Sequence, residues 1–227
     1  MSMRLDHIVP FGRSLREYEL IFNLTAGDYR QRLLDCGGGP SSFNAELSTR
    51  GGSVLSFDPL YACSGTRIKR RFDDTVDDVI EQVDRSPESW VWTYHKNSAD
   101  LRRNRASALE IFLGDYEAGL RAGRYVCASL PALPFTNDCF GLALCSHLLF
   151  LYSDLLSFDF HLASIREIMR VSRELRIFPL LALNGMPSPY VAPLHADLER
   201  HGWLVTVERA GYELQRGGNQ MMRITRR

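Results

Sequence analysis

The chain has 227 residues, of which 45% are hydrophobic and 24% are charged, as is typical of one globular domain with a substantial core. Lysine plus arginine equals aspartate plus glutamate at 27 each, so no net field draws the protein to nucleic acid or to an anionic membrane. The longest apolar run, LALCSHLLFLY, is too short to span a bilayer, and the amino terminus lacks the apolar core of a signal peptide.

Hydrophobic periodicity predicts alternating helices and strands in the first quarter of the chain. Residues 13–29 have apolar side chains at helical spacing, and Gly27 is expected to end that helix. A buried strand is predicted at 32–36, a helix at 42–50 and a second strand at 53–58. This order is that of a βαβ unit.

The connection to the next predicted strand, RYVCASL, is far longer than a connection within a βαβ unit needs. We therefore predict a helical insertion over residues 62–122, with two amphipathic helices on either side of the aromatic segment SWVWTYH. The aromatic residues in that segment are interpreted first as core of the insertion and second as a platform for substrate. We expect the insertion to form a lid over a small-molecule acceptor.

Strands and helices continue to alternate in the second half of the chain. LALCSHLL is the fourth predicted strand, residues 159–172 a helix, and LRIFPLLAL a fifth strand that is apolar on both faces. Pro187 and Pro189 are expected to open the last helix. Two strands joined around Gly217 and Gly218 then predict a closing antiparallel hairpin on an otherwise parallel sheet.

A glycine-rich turn in the segment LLDCGGGPSSF is the strongest functional signal in the sequence. Three consecutive glycines, beginning at Gly37, follow the end of the first strand and allow backbone to approach a ligand closely. Ser41 and Ser42 are expected to cap the next helix. Asp58 ends the second strand 19 residues after Gly39, where a carboxylate accepts hydrogen bonds from ribose hydroxyls. The pattern predicts a site for an adenosine-type cofactor.

The charge beside the turn distinguishes between two cofactor classes. A dinucleotide fingerprint requires a third glycine, and this chain has Ser42 there. Asp35 would repel a pyrophosphate but would attract the ammonium or sulfonium group of a cationic ligand. The electrostatics therefore favour S-adenosylmethionine over a nicotinamide dinucleotide.

These segments resemble the class I S-adenosylmethionine-dependent methyltransferases. LLDCGGGPSSF resembles their first motif, VLSFDPLY the second, and SLPALPFTNDCFGLALCSHLLFLY the third and fourth. The resemblance implies an α/β, Rossmann-like fold in a single domain of residues 1–227, with a mainly parallel seven-stranded sheet of order 3-2-1-4-5-7-6. It implies S-adenosyl-L-methionine as cofactor and S-adenosyl-L-homocysteine as product. The residues that it assigns to the cofactor are Asp35, Gly37, Gly38, Gly39, Asp58, Pro59, Leu60, Ser129, Leu130 and Ser146.

Two positions near the third and fourth motifs need separate comment. Ser129 stands where related proteins often have an aspartate that accepts from the adenine amino group, and a hydroxyl makes a weaker contact. His147 follows the fourth strand and is the one histidine considered as a general base, since its ordinary pKa lies near neutrality. The alternative is a hydrogen-bonded histidine in the pocket wall. The same stretch reads CSHLLF and lacks the motif of the nucleic-acid amino methyltransferases.

Three functional hypotheses follow from the sequence. The first is a methyltransferase with a small-molecule acceptor, and the second is a catalytically silent cofactor- or partner-binding protein on the same fold. The third is a nicotinamide-dependent oxidoreductase. The five scattered cysteines show no zinc-binding spacing, which predicts reduced thiols, no metal site and a cytoplasmic location. A homodimer is compatible with the sequence, and nucleic-acid or membrane partners are not favoured.

Overall fold

The computed structural model describes residue 3 and residues 5–226. The ends of the predicted domain, at residues 1 and 227, lie outside this part of the chain. No helix in the described residues is long and apolar enough to cross a membrane.

A seven-stranded sheet forms the centre of the molecule, with the order β3-β2-β1-β4-β5-β7-β6. The first five strands in the chain pair in parallel, whereas β7 is antiparallel to both β5 and β6. This confirms the predicted fold class, including the closing antiparallel hairpin. The strands are β1 (Arg32–Cys36), β2 (Ser53–Phe57), β3 (Tyr125–Val126), β4 (Leu142–Ser146), β5 (Glu174–Phe178), β6 (Trp203–Arg209) and β7 (Gln220–Arg226).

Helices cover the sheet and bury the apolar faces of its central strands. Every residue of β4 is buried, as expected for a parallel strand with helices on both faces. A 3-10 turn, Pro59–Ala62, follows β2 directly. The helices are α1 (Leu15–Ile21), α2 (Phe43–Thr49), α3 (Gly65–Asp84), α4 (Ser98–Arg121), α5 (Phe158–Val171) and α6 (Val191–Arg200).

The first predicted helix, 13–29, is shorter than expected at both ends. Ser14 caps α1 and forms a capping box with Glu17, so that helix begins at Leu15. It ends at Ile21, and Asn23 adopts a left-handed conformation with φ of 49°. The apolar periodicity continues past this point because Phe22 and Leu24 pack into the same core without being helical.

Other predicted boundaries differ for local reasons. The strand RYVCASL reduces to Tyr125–Val126 at the edge of the sheet, where only β2 offers a partner. The fifth strand stops at Phe178 because Pro179 has no N–H to continue the ladder. The last helix begins at Val191, after Pro187 and Pro189 rather than at them.

The predicted insertion contains one helix that belongs to the central layers. α4 packs against α2 and β3, which places it as the crossover helix between β2 and β3. α3 lies outside α4 and adds an extra layer with its own apolar core around Ile68 and Phe72. Within the predicted insertion, α4 therefore takes the place of the crossover helix beside the sheet, and α3 is the added layer.

The connection between α3 and α4 is fastened to the loop between β6 and β7. Val91 N–H donates to the Leu214 carbonyl at 2.7 Å, and Arg216 N–H donates to the Ser89 carbonyl at 2.8 Å. The aromatic residues there are largely structural: Trp90 is 7% exposed, and its indole N–H donates to Ser86 Oγ at 3.2 Å. The outer end of this helical pair is thus held in place.

A buried ion pair joins three separate parts of the chain. Both side chains of the Glu17–Arg105 pair are fully buried, with Arg105 Nη2 2.8 Å from Glu17 Oε1. Tyr212 Oη donates to the same carboxylate at 3.1 Å. Hydrogen bonds to the Glu17 carboxylate and from both terminal nitrogens of Arg105 stabilise the charges in this setting, whereas Arg105 Nε is buried without a partner. The cluster fixes α1, α4 and the loop before β7 relative to one another.

Candidate functional site

The carboxyl ends of β1, β2 and β4 open at the same edge of the sheet. Cys36 pairs in register with Phe57 on one side and with Cys145 on the other, so the loops after these strands leave side by side. In open α/β sheets, ligands bind in the crevice outside these ends, where the strand order reverses. Here the reversal falls between β1 and β4.

The glycine turn after β1 has a conformation that requires glycine. Gly37 and Gly39 have φ values of +64° and +51°, which L-residues with a side chain rarely adopt. A Cβ on Gly38 would lie 2.2 Å from an oxygen of Asp35, and one on Gly37 would lie 2.6 Å from the Leu148 side chain. A Cβ on Gly39 would meet only Asp58, at 3.9 Å, on the open side of the turn.

The serines after the turn do not cap α2, contrary to the prediction. Ser42 Oγ donates to Glu46 Oε1 at 2.5 Å, and no side chain accepts from the first turn of the helix. Ser41 Oγ instead accepts from the Arg13 N–H at 3.1 Å. Both hydroxyls therefore tie the turn to α2 and to the segment before α1.

Asp58 follows β2 and faces the turn. Its Oδ2 accepts from the Gly39 N–H at 3.0 Å, and its Oδ1 accepts from the Leu60 N–H at 2.7 Å. Burial raises the pKa of this carboxyl above its usual range, and the two backbone hydrogen bonds oppose that rise. Each oxygen retains a second lone pair, so the carboxylate can still accept from a ligand hydroxyl.

Asp35 lies beneath the turn and is 1% exposed. It accepts from the Tyr18 hydroxyl and from the Ser56 hydroxyl, both at 2.8 Å. Burial raises its pKa to about 7, and Asp58 adds to the rise. The structure therefore places Asp35 behind the Gly38 backbone rather than on the surface of the cleft.

The opposite wall is formed by the loops after β3 and β4. Ser129 is exposed toward the cleft and Leu130 is buried beside it. Ser146 ends β4, and His147 then turns the chain with φ of 54° while its N–H donates to the Phe178 carbonyl at 2.7 Å. Burial, followed by the nearby charges of Arg13 and Arg105, lowers the pKa of His147 well below 6.5. The ring is neutral at pH 7.

One cleft of about 910 Å³ brings together all but one of the predicted site residues. The exception is Asp35. The volume lies in the range of small-molecule and cofactor sites. The predicted residues that line it are Gly37, Gly38, Gly39, Asp58, Pro59, Leu60, Ser129, Leu130, Ser146 and His147. In the described part of the chain, no group of three or more histidine, cysteine, aspartate or glutamate side chains could hold a metal ion.

Two further elements line the cleft that the sequence analysis did not assign to it. Residues 7–11 and Arg13 form one side, ahead of α1, and α3 contributes the exposed Asp74 and Asp78 at the mouth. Burial and the neighbouring Arg105 lower the pKa of Arg13 to about 10, so its guanidinium stays charged at neutral pH. The capping-box pattern beginning at Ser14 is the sequence signal that separates Arg13 from the helix.

Comparison with known proteins gives similarity at two levels. No family model matches the chain. An uncharacterised protein of Methanocaldococcus jannaschii is 28% identical over 225 residues, which is 99% of each chain. It shows that the whole chain has a counterpart of the same length.

Similar solved structures include several methyltransferases. Magnesium protoporphyrin IX methyltransferase from Synechocystis, crystallised with S-adenosylmethionine, has a TM-score of 0.45 and 10% identity, covering 87% of this chain and 70% of that one. The mitomycin 7-O-methyltransferase has a TM-score of 0.48 and 14% identity, covering 94% and 54%. At these scores the likenesses carry no argument about function. The Rossmann-like methyltransferase fold is assigned from the strand order of the chain itself.

Proposed function

We propose that the protein is an S-adenosylmethionine-dependent methyltransferase that acts on a small-molecule acceptor. The observation that carries the proposal is the single cleft in which the glycine turn, Asp58, Ser129–Leu130 and Ser146–His147 meet. Each of these groups follows a different strand, so their convergence is a property of the fold rather than of one motif.

The residues present suit an adenosyl ligand with a cationic amino-acid end. Asp58 has spare lone pairs for ribose hydroxyls, and Pro59, Leu60 and Leu130 offer apolar surface for a base. The turn from Gly37 to Gly39 gives close approach to backbone, with the Asp35 carboxyl directly behind it. Ser42 occupies the position of the last glycine in the dinucleotide fingerprint, the glycine that leaves room for a pyrophosphate. This argues against a dinucleotide as the ligand.

The cofactor, when bound, supplies a methyl group already activated on a sulfonium. The residues of the protein then have to align the acceptor and exclude water, and correct positioning alone contributes effective molarities of about 10⁵ to 10⁸ M. His147 is neutral and follows β4 directly, so its imidazole can accept a hydrogen bond from an acceptor hydroxyl, but its lowered pKa makes it a weak base.

Two measurements in sequence test the proposal. Thermal unfolding with S-adenosylhomocysteine should raise the midpoint, whereas NAD at the same concentration should leave it unchanged, since only a ligand that binds the native state stabilises it. Turnover of labelled S-adenosylmethionine against a panel of metabolites then tests for catalysis. Stabilisation by NAD alone would favour an oxidoreductase. Binding of S-adenosylhomocysteine without any turnover would favour the catalytically silent alternative.

A further inference from the structure

A second, smaller cavity lies directly beside the cleft. Its volume is about 100 Å³, and it is lined by the segment before α1, by α3, and by the loops after β5 and before β7. We call it the side chamber. Its walls are mostly apolar, and they include Phe11, Val83, Trp90, Leu151 and Leu183. Among the described residues that line it, Arg13 is the only one that is always charged.

The side chamber and the cleft share four lining residues, which lie between the two cavities and which we call the neck. These are Val9, Phe11, Arg13 and His147. The guanidinium of Arg13 and the imidazole of His147 are therefore the polar groups that lie between a molecule in the side chamber and one in the cleft. Such a neck is where a methyl donor in the cleft and an acceptor in the side chamber would meet.

Both polar groups at the neck have unused hydrogen-bonding capacity. The Arg13 Nε atom is buried without a partner, and Nη1 donates only to the Phe11 carbonyl, at 3.0 Å. No carboxylate within the described residues forms an ion pair with Arg13. His147 Nδ1 is 2.9 Å from Ser146 Oγ, whereas its Nε2 has no hydrogen bond to any described residue. Buried polar atoms are normally satisfied, so the unpaired Arg13 Nε at this cavity points to a ligand.

Given the proposed function, on which this inference rests, we propose that the side chamber binds the methyl acceptor. The acceptor is a compact molecule whose apolar body fills the chamber and whose acidic oxygen, phenolic or carboxylic, lies at the neck beside Arg13. An apolar cavity of about 150 Å³ in another protein binds benzene, so the body is no larger than about one six-membered ring. The positive charge of Arg13 disfavours an ammonium group at this point.

The proposed methyl transfer needs only the acceptor, the cofactor and His147. A phenolic acceptor oxygen gives its proton to His147 Nε2 and forms a bond to the methyl carbon. The carbon–sulfur bond breaks, and its electron pair remains on sulfur as a neutral thioether. A carboxylic acceptor arrives ionised and needs no base, so it differs from a phenol in its dependence on His147.

Binding of simple probes in the presence of saturating S-adenosylhomocysteine tests the assignment. Phenol, benzoate and benzylamine have one ring each and differ in charge, and binding is followed by calorimetry. We expect phenol or benzoate to bind at least about tenfold more tightly than benzylamine, since a charge-assisted hydrogen bond has that magnitude. Arg13→Gln should remove this preference. His147→Gln should reduce methyl transfer to a phenol and leave transfer to a carboxylate largely unchanged.

Filling the side chamber gives an independent test. Val83→Phe and Leu183→Phe each place a ring in the chamber, and neither residue lines the cleft. Each variant should lose probe binding while retaining S-adenosylhomocysteine binding, which also shows that it is folded. Ile111→Phe, on the exposed surface of α4, is the matched control and should bind both.

Three outcomes would overturn the assignment. In the first, filled-chamber variants still bind the probe. In the second, benzylamine binds as tightly as the oxygen acids. In the third, Arg13→Gln weakens the binding of S-adenosylhomocysteine and leaves probe binding unchanged, which would assign Arg13 to the cofactor site. If the unmodified protein fails to bind S-adenosylhomocysteine, the proposed function itself is refuted. If it binds S-adenosylhomocysteine normally but binds none of the probes, only the assignment of the side chamber is refuted.

Discussion

Both carboxylate oxygens of Asp58 accept from backbone N–H groups. Replacing it with alanine would leave the Gly39 and Leu60 N–H groups unpaired and disturb the turn as well as the site. Asp58→Asn is a more selective substitution than Asp58→Ala because it keeps one acceptor oxygen. We expect it to weaken S-adenosylhomocysteine binding by about 1.5 to 3 kcal/mol, the range for hydrogen bonds to a charged group. Calorimetry measures this, and unchanged affinity in a folded variant would remove Asp58 from the site.

Two glycines of this chain share a backbone conformation and differ in location. Gly39 and Gly51 both have positive φ, and a Cβ meets no close neighbour at either position. Gly39→Ala and Gly51→Ala should each cost about 1 to 2 kcal/mol of stability through left-handed strain. Only Gly39→Ala should also abolish S-adenosylhomocysteine binding, because only Gly39 lines the cleft. Equal affinities in the two variants would mean that the turn is structural only.

The protonation of Asp35 should respond to a cationic ligand. Its pKa is raised from 3.8 to about 7 by burial, so the folded protein retains a proton there that the unfolded chain releases near pH 4. The contribution of Asp35 to stability is therefore greatest below pH 4 and declines as the pH rises to about 7. A positive charge bound beyond the Gly38 backbone would lower this pKa and release the proton.

Calorimetry in two buffers of different ionisation enthalpy detects that release. At pH 6.5 we expect a fraction of a proton to be released per S-adenosylhomocysteine bound, and none from Asp35→Asn. Release of the same size from Asp35→Asn would assign the proton to another group.

At the scale of elements, α3 and α4 should respond differently to ligand. α3 contributes to the mouth of the cleft, whereas α4 packs between α2 and α3. If the insertion at 62–122 acts as a lid, ordering it removes local opening and slows amide exchange. We expect S-adenosylhomocysteine to slow exchange in Gly65–Asp84 and in residues 7–13, with smaller changes in α4. Slowing confined to the glycine turn and Asp58 would reject the lid and leave α3 as a structural or partner-binding layer.

The Glu17–Arg105 pair makes a prediction about stability. Arg105→Met leaves Glu17 as an uncompensated buried charge and should destabilise the fold by about 3 to 5 kcal/mol. Adding Glu17→Gln to that variant should recover a substantial part of the loss, because the buried charge is then removed. Chemical denaturation measures both. A double variant no more stable than Arg105→Met would show that the charge itself is not the cause.

At the scale of the whole molecule, the sequence predicted the parts of the fold that depend on local patterns. The glycine turn, the carboxylate that follows β2 and the apolar run of β4 each have a strong local signal. The sheet order came from the family resemblance that these segments carry, not from the local signals themselves. The role of α4 was missed because periodicity shows that a helix is amphipathic without showing which neighbour it covers. Arg13 was missed because its significance comes from residues distant in the chain, namely the hydrogen bond of its N–H to Ser41 and the neighbouring charge of Arg105.

A structure of the protein with S-adenosylhomocysteine bound is the most direct test of this account. We expect that structure to show the ribose hydroxyls at Asp58, the amino-acid end of the ligand over the turn from Gly37 to Gly39, and the adenine base between Leu60 and Leu130. The sulfur should face the neck formed by Arg13 and His147. Density for the ligand outside this cleft, or with its ribose away from Asp58, would contradict the central claim that these strand ends form one cofactor site.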